Sequence, residues 1–210
     1  MAAPKAIIFD LGNVLLPIDL SLTYEAFSAY SSFSPSEIAS AIADHQLWVP
    51  YESGKQSDQE FRNFLRESLQ LRISDEEFDE AFSALLLDFH VGVYEWIASL
   101  RSQFHLILLS NTSAIHAARF TKISLGPEGQ NLFSLFHHVY YSFEMGVVKP
   151  DVTIYQQVLT EQGFSAEEVL FFDDNVANIK AAKSMGIDSF LIDPSRTYSQ
   201  IQEILDTYVS

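Results

Sequence analysis

Residues 6–13, AIIFDLGN, contain the pattern that decides the fold class. Four apolar residues stand in a row, a run too short for a helix, and it ends abruptly at Asp10, Gly12 and Asn13. A short continuous apolar run bounded by turn residues is typical of a strand that is buried on both faces, as in a parallel sheet. The sequence therefore predicts a buried first strand that ends at Asp10.

Further runs of the same kind follow along the chain. They lie at residues 106–109, 139–141, 169–172 and 190–192. Helical patterns separate the later runs, as at residues 152–162, where apolar side chains recur on one face. Strands that alternate with helices in this way indicate βαβ units with right-handed crossovers. We expect an α/β fold with a doubly wound, Rossmann-like parallel sheet.

Residues 19–88 differ from the rest of the chain, because they show repeated helix starts and no buried-strand run. Each start is a Ser-x-x-Glu capping box, in which the serine and the glutamate satisfy free backbone amides of the first turn. The boxes begin at Ser34, Ser57 and Ser74. We expect at least three helices here, inserted after the first strand. The predicted organisation is a core of residues 1–18 and 89–210 with a helical cap of residues 19–88.

The charge balance excludes several functions. The chain has 12 Lys and Arg against 28 Asp and Glu, a net charge of −16, and such a surface repels nucleic acids and anionic membranes. It has no cysteine, which excludes disulfides, thiolate metal sites and cysteine nucleophiles. We see no signal-peptide pattern and no apolar run near the roughly 18 residues that a membrane span needs. The sequence predicts a soluble, cytoplasmic protein and leaves its oligomeric state open.

Polar residues stand at the predicted carboxyl ends of several strands, where ligands bind in open parallel sheets. They are Asp10 after the first strand, Ser110 and Asn111 after the second, Asp173 and Asp174 after the fourth, and Lys149 before the helix that leads into the fourth. Each of them alone is more typical of a turn, a helix cap or a solvated side chain. Together they indicate one crevice at one edge of the sheet.

The chemistry of this crevice favours a phosphate and a metal ion. Its three carboxylates outnumber its one lysine by two charges, which a divalent cation would balance. Carboxylate and carbonyl oxygens are the ligands that Mg²⁺ prefers. A phosphate group there would face a lysine, a hydroxyl, an amide and a metal, as phosphoryl transfer requires. We therefore expect Mg²⁺ as the cofactor and a small phosphorylated substrate.

The order and spacing of these residues resemble the four motifs of the haloacid dehalogenase superfamily. The matching segments are FDLGNV at 9–14, LSNT at 109–112, Lys149-Pro150 and FDDN at 172–175. The resemblance covers essentially the whole chain, and residues 19–88 correspond to the helical cap of that family. It is closest to the α-D-glucose-1-phosphate phosphatase-like subfamily. It implies a Mg²⁺-dependent phosphatase that acts on a small metabolite, most specifically a sugar phosphate such as a sugar 1-phosphate.

The resemblance also implies the nucleophile and the metal ligands. Asp10 corresponds to the nucleophile that attacks phosphorus and forms an aspartyl-phosphate. Asp10, the carbonyl of Gly12 and Asp174 correspond to ligands of Mg²⁺. Asp173 corresponds to a residue that supports the metal directly or through water.

The same resemblance implies how the phosphate is held. Ser110 and Asn111 correspond to ligands of the phosphoryl oxygens. Lys149 corresponds to a catalytic residue that also binds phosphate, because its ammonium neutralises charge and orients the nucleophile. Arginine would not replace it conservatively, since a point charge would become a wide fork.

Gly12 departs from the family pattern. Most phosphatases of the superfamily have an aspartate at this position, which protonates the leaving oxygen, an effect worth about 10²- to 10⁴-fold in rate. Three explanations stand open. The leaving group is comparatively acidic, as in a sugar 1-phosphate; or a cap residue such as Asp19 or His45, or a water, supplies the proton; or the site mainly binds a phosphorylated ligand or a protein partner.

A 2-haloacid dehalogenase is a further alternative, because that branch of the superfamily also lacks the second aspartate. Its chemistry needs no metal and no adjacent carboxylates, so Asp173 and Asp174 favour the phosphatase. In the predicted cap, residues 44–54 interleave polar and aromatic groups, a composition that suits a sugar. The competing interpretation is that Trp48 and Tyr51 pack the small core of the cap.

Overall fold

The computed structural model describes residues 4–44, 47–126 and 129–209, which surround a five-stranded sheet. Its strands are β1 (Ala6–Phe9), β2 (His105–Ser110), β3 (His138–Tyr141), β4 (Val169–Asp173) and β5 (Asp188–Leu191). Every neighbouring pair is parallel, in the order β3-β2-β1-β4-β5. This confirms the predicted α/β fold with its parallel sheet.

The described ranges contain eleven α-helices. They are α1 (Leu20–Ser28), α2 (Pro35–Ala41), α3 (Val49–Glu52), α4 (Asp58–Leu69), α5 (Asp75–Phe82), α6 (Val93–Arg101), α7 (Ala114–Ile123), α8 (Ser142–Met145), α9 (Val152–Gln162), α10 (Val176–Ser184) and α11 (Thr197–Val209). None of these helices combines the length and the hydropathy that a bilayer-spanning helix needs. Helix α9 has the bounds that its apolar periodicity predicts, and Gly163 ends it in a left-handed conformation.

Strand β1 lies in the middle of the sheet, and all four of its side chains are fully buried. Ile7 and Phe9 enter one hydrophobic cluster, to which α6 and α11 contribute. Ala6 and Ile8 enter a second cluster, to which α9 and α10 contribute. Because successive side chains of a strand point to opposite faces, the two clusters lie on the two sides of the sheet. This is the doubly buried strand that the apolar run predicts.

The last strand differs from its prediction by two residues. The apolar run at residues 190–192 predicts a strand there, whereas β5 begins at Asp188 and ends at Leu191. β5 is an edge strand, and such strands combine polar and apolar residues more freely than central ones. The apolar run therefore predicts that β5 exists, but it places the start of the strand two residues too late.

Residues 19–88 contain the helices α1–α5 and, within the part that the structure describes, no strand. Helices α2, α4 and α5 begin at the three predicted capping boxes, and in each the serine and the glutamate make both reciprocal hydrogen bonds. These helices bury a hydrophobic cluster of their own, with Phe27, Phe61 and Phe78 fully buried. The division into a cap of residues 19–88 and a core remains a prediction.

Gly54, between α3 and α4, lies against Phe143 of α8. Its φ is +66°, and a Cβ atom there would overlap the carbonyl oxygen of Phe143. Glycine is thus required twice, by the left-handed backbone and by the close approach. Gly146 has φ +77°, but a Cβ there would meet no atom within 4 Å.

We expect Gly54→Ala to destabilise the protein more than Gly146→Ala. Gly146→Ala adds only the cost of a left-handed non-glycine residue, about 1 kcal/mol. Gly54→Ala adds an overlap with backbone, for a total of about 2–4 kcal/mol. Denaturant unfolding of both variants measures the difference. Equal losses would show that the contact between Gly54 and Phe143 does not constrain the fold.

Candidate active site

The carboxyl ends of β1, β2 and β4 meet at one edge of the sheet, because these strands are parallel and adjacent. Asp10 directly follows β1, and its backbone amide donates to the carbonyl oxygen of Phe172 at 2.9 Å. Ser110 and Asp173 are the last residues of β2 and β4. The winding of the chain reverses at β1, which is where ligands bind in sheets of this kind. The structure therefore brings these predicted residues to one place.

Lys149 lies between two of the carboxylates. Its Nζ donates to Oδ1 of Asp10 at 2.6 Å and to Oδ2 of Asp173 at 2.7 Å. The lysine side chain is 1% exposed and the Asp173 side chain is fully buried. Removing such charges from water costs several kcal/mol each, so the arrangement is stable only because the three groups pair with one another. Lys149 is the residue that allows two acids to lie side by side in the interior.

The pKa values of these groups reflect their burial and their mutual charge. Burial raises the pKa of Asp10 well above its usual range, and the charge of Lys149 opposes this shift. Burial alone would lower the pKa of Lys149, but Asp10 and Asp173 outweigh it and hold this pKa above its usual value. Burial also raises the pKa of Asp174. The site thus holds more negative charge than one lysine balances.

Asp173 is held on every side. Its Oδ1 accepts from the backbone amide of Asn175 at 2.7 Å, and both of its oxygens lie 3.0 Å from Nδ2 of Asn178. Asn175 is also the N-cap of α10, so the helix start and the acid are joined. Since Lys149 also donates to Oδ2, both oxygens of this carboxylate accept hydrogen bonds from the protein. This suits a residue that supports the other groups of the site and does not itself react.

Asp174 is more accessible than Asp173 and accepts a hydrogen bond from Nδ2 of Asn13 at 3.1 Å. Asn13 has φ +56°, a left-handed conformation that asparagine tolerates. It belongs to the same loop as Gly12, the predicted carbonyl ligand. The loop after β1 and the loop after β4 are therefore joined by one hydrogen bond at the site.

The residues present fit a magnesium ion. One carboxylate oxygen from each of Asp10, Asp173 and Asp174 lies within 4.8 Å of the other two, and the searched part of the chain holds no second group of this kind. All three donors are hard oxygen ligands, which suit Mg²⁺. The histidines, for which the sequence shows no ligand spacing, contribute to no such group within the described ranges.

The side chain of Asn111 positions Lys149. Its Nδ2 donates to the carbonyl oxygen of Lys149 at 2.8 Å, and its Oδ1 accepts from the amide of Lys149 at 2.8 Å. The loop beyond it is held as well, because Ser142 Oγ contacts both the amide and the carbonyl of Thr112 at 2.9 and 3.2 Å. Ser110 is 3% exposed at the start of this loop. That Ser110 and Asn111 hold phosphoryl oxygens stays a prediction.

Three residues of the site were missed from the sequence, namely Asn13, Asn178 and Ser142. Asn178 had a detectable signal, because it lies five residues after Asp173 in the first turn of α10. Asn13 also had one, since asparagine after glycine favours a left-handed turn. Ser142 had none, since it meets Thr112 across 30 residues of chain.

The two candidates for the missing proton donor have different outcomes. Asp19 is exposed and caps α1, where its Oδ1 accepts from the amide of Ser21 at 2.9 Å. The hydrogen bonds from the Ser21 hydroxyl and amide lower the pKa of Asp19, as suits a helix cap, and its role as a proton donor stays a prediction. His45 lies outside the described residues.

A cavity of about 300 Å³ opens beside the site, between the loops after β1 and β2 and the helices of residues 19–88. Gly12 and Ser110 are among the residues that line it, and so are Trp48 and Tyr51. The same two aromatic rings also pack in the cluster of residues 19–88, where Tyr51 stacks on Phe61 at a centroid distance of 4.0 Å. Trp48 and Tyr51 therefore both pack in this hydrophobic cluster, as one interpretation of the sequence predicts, and line the cavity.

Comparisons with known proteins agree with this geometry. A model of the haloacid dehalogenase-like hydrolases matches residues 4–186. The D-ribitol-5-phosphate phosphatase of Bacteroides thetaiotaomicron is 26% identical over 89% of this chain and 90% of its own length. A haloacid dehalogenase family enzyme from the same organism, in complex with magnesium and inorganic phosphate, has a TM-score of 0.85 at 26% identity, over 94% and 98% of the two chains. A sesquiterpene phosphatase of Aspergillus oryzae is 31% identical over 35% of this chain and 38% of its own.

We expect Lys149→Met to lower the free energy of unfolding by about 3–5 kcal/mol in EDTA, because it leaves two buried carboxylates without their cation. Lys5→Met is the matched control. Lys5 pairs with Glu168 but is 64% exposed, so its loss costs at most about 1 kcal/mol. The double variant Lys149→Met/Asp173→Asn should recover part of the loss. Denaturant unfolding measures these losses. If Lys149→Met lost no more unfolding free energy than Lys5→Met, the stabilising role of the buried Lys149, Asp10 and Asp173 group would be contradicted.

Proposed function

The chain belongs to the haloacid dehalogenase-like hydrolase family and is a phosphatase of it, and we propose that it hydrolyses a small phosphate monoester through an aspartyl-phosphate on Asp10. The observation that carries this proposal is the buried pairing of Lys149 with Asp10 and Asp173. A nucleophilic carboxylate must be ionised and correctly oriented, and a lysine at 2.6 Å favours the ionised form against burial and fixes the orientation. The adjacent carboxylate of Asp174 provides the oxygen ligand that a metal-dependent phosphatase needs.

In the first half of the reaction, an oxygen of Asp10 attacks the phosphorus atom. The bond from phosphorus to the ester oxygen breaks, and the alcohol leaves with a proton taken from a water molecule, because Gly12 carries no acid that could donate it. Lys149 stays bound to the nucleophile and offsets the charge of the entering phosphate. Ser110, at the end of β2, offers its hydroxyl to a phosphoryl oxygen.

In the second half, water attacks the aspartyl-phosphate, releases inorganic phosphate and restores the carboxylate of Asp10. Asp10, the carbonyl of Gly12 and Asp174 would hold Mg²⁺, with Asp173 supporting them. A magnesium ion at this place supplies positive charge to the phosphoryl oxygens as negative charge develops on them. Asn178 and the amide of Asn175 keep Asp173 in place throughout.

Two substrate classes have support. The similarity to a D-ribitol-5-phosphate phosphatase supports the sugar phosphate that the sequence predicts, such as a sugar 1-phosphate. The shorter similarity to a sesquiterpene phosphatase supports the phosphate of an apolar alcohol. The residues proposed to hold the phosphate differ from those that would contact the alcohol. A relative at 26% identity therefore does not fix the alcohol, and the residues that line the cavity decide between the two classes.

We expect the enzyme to release inorganic phosphate from monoesters in the presence of Mg²⁺ and to stop when EDTA is added. Asp10→Asn should lower kcat at least about a thousandfold, because an amide cannot form the aspartyl-phosphate. Asp88→Asn, which changes an exposed carboxylate outside the site, is the matched control and should retain activity. A panel of glucose 1-phosphate, ribitol 5-phosphate and hexyl phosphate covers the candidate classes.

Each competing hypothesis has its own outcome in this assay. Halide release from a 2-haloacid without metal would support the dehalogenase. Binding of phosphate esters without turnover of any of them would support a family member that only binds. Full turnover by Asp10→Asn would contradict the assignment of Asp10 as the nucleophile.

We also expect Mg²⁺ to stabilise the fold. At a concentration about 100 times the dissociation constant, the free energy of unfolding should rise by about 2.7 kcal/mol. Asp174→Asn should weaken Mg²⁺ binding at least about tenfold, since it removes a charged ligand. Asp88→Asn should bind as the parent does. Thermal unfolding against Mg²⁺ concentration measures all three, and an unchanged response of Asp174→Asn would exclude that residue as a ligand.

A further inference from the structure

The cavity beside the phosphate site receives the alcohol portion of the substrate, and its walls differ from those of a sugar site. Resting on the phosphatase function proposed above, we propose that the preferred substrate is the monophosphate of a predominantly apolar alcohol, whose hydrocarbon part fills this cavity. The phosphate would lie at Asp10 and Ser110. A polyol phosphate of the same length would be a poorer substrate.

Most of the cavity wall is hydrocarbon. Its apolar members come from the loop after β1, from the helices of residues 19–88 and the segments that flank them, and from α7; they include Leu16, Leu20, Ile42, Trp48, Phe82 and Leu85. A volume of about 300 Å³ is at the small end of the range for drug-sized ligands. Burying apolar surface of a ligand against such a wall lowers the free energy of binding, whereas hydroxyl groups buried against its hydrocarbon parts would lose their hydrogen bonds to water without replacement.

Three polar side chains of the wall, those of Thr23, Trp48 and Tyr51, are already hydrogen-bonded within the protein. Thr23 Oγ1 donates to the carbonyl oxygen of Phe82 at 3.1 Å and accepts from the amide of Leu85 at 3.2 Å. Trp48 Nε1 donates to the carbonyl oxygen of Ile42 at 3.1 Å. Tyr51 donates its hydroxyl proton to Asp58 at 2.8 Å. These groups present ring faces and methyl groups, and not hydrogen-bonding partners, to a ligand.

The ring of His116, another wall residue, is also hydrogen-bonded within the protein. Its Nε2 lies 3.1 Å from the carbonyl oxygen of Phe82, and its ring stacks on the Phe82 ring at a centroid distance of 4.0 Å. Burial lowers the pKa of His116 to about 4, so the imidazole is neutral near pH 7. Among the wall residues that the structure describes, Glu52 is the only carboxylate, so the hydroxyls of a sugar that lie away from it would face a largely apolar wall.

Gly12 joins the cavity to the phosphate site. A Cβ atom on Gly12 would meet Ile18 Cδ1 at 3.6 Å, which is ordinary contact, so glycine is not imposed by crowding. Gly12 and Ile18 both line the cavity, so a side chain on Gly12 would lie beside Ile18 at the cavity wall. The glycine therefore keeps this part of the wall small and uncharged, which suits an apolar alcohol.

The test is a series of n-alkyl phosphates from ethyl to decyl. Each added methylene should raise kcat/KM about threefold to fourfold until the cavity is filled, because each buried methylene contributes a constant increment. Hexyl phosphate should exceed sorbitol 6-phosphate, which has the same number of carbons, by at least about tenfold.

A pair of variants assigns the effect to the cavity. Leu20 lines the cavity but is 51% exposed, so Leu20→Ser changes the wall with little risk to the fold. It should lower the ratio of kcat/KM for octyl phosphate to that for ethyl phosphate about threefold or more. Leu125→Ser changes a leucine that is 58% exposed and lies outside the cavity, and it should leave this ratio unchanged.

Binding of n-alkylphosphonates, which cannot be hydrolysed, separates the two proposals. If affinity rises with chain length but no ester is turned over, the cavity proposal stands and the phosphatase function fails. If esters are turned over but the alkyl series is flat, or sorbitol 6-phosphate is preferred, the cavity proposal is overturned and the phosphatase function stands. An unchanged ratio in Leu20→Ser would also overturn it.

Discussion

The buried ammonium group of Lys149 is the interaction on which the site depends. Parallel strands of a doubly wound sheet bring their carboxyl ends together, and here they bring Asp10 and Asp173 into a nearly dry interior. Two such acids repel each other, and burial disfavours the charge of each. Lys149, at 2.6 and 2.7 Å from them, makes the arrangement possible and still leaves an excess of negative charge. That excess is why the same residues suit a divalent cation.

Amide side chains hold this charged group in place. Asn111 binds the backbone of Lys149 from both sides, Asn178 binds Asp173, and Asn13 binds Asp174. Neutral amides suit this task, because they donate to carboxylates without changing the net charge of the site. A nucleophile and a metal site must keep their geometry within fractions of an ångström, and these contacts join the loops after β1, β2 and β4. The net charge of −16 belongs to the whole chain, whereas the excess negative charge of the site is one that a divalent cation would balance locally.

In the proposed phosphatase, recognition of the phosphate and of the alcohol would be divided between two parts of the chain. The phosphate would lie at the edge of the sheet, at Asp10 and Ser110, whereas the cavity wall comes largely from residues 19–88. Sequence composition favoured a sugar, because polar and aromatic residues alternate through 44–54. In the structure, Trp48 and Tyr51 turn their polar atoms to Ile42 and Asp58. The cavity is therefore more apolar than the composition of its segment.

The sequence by itself determined the features that depend on neighbouring residues. Continuous apolar runs predicted all five strands, the Ser-x-x-Glu boxes predicted the starts of α2, α4 and α5, and ordered motifs predicted which residues meet at the sheet edge. Only the tertiary structure decided which side chain binds which. Asn111 and Lys149 are 38 residues apart, and His116 and Phe82 are 34 apart. Such pairs depend on how helices and loops pack, and no local pattern encodes that packing, so the support of the site and the character of its cavity had to be read from the fold.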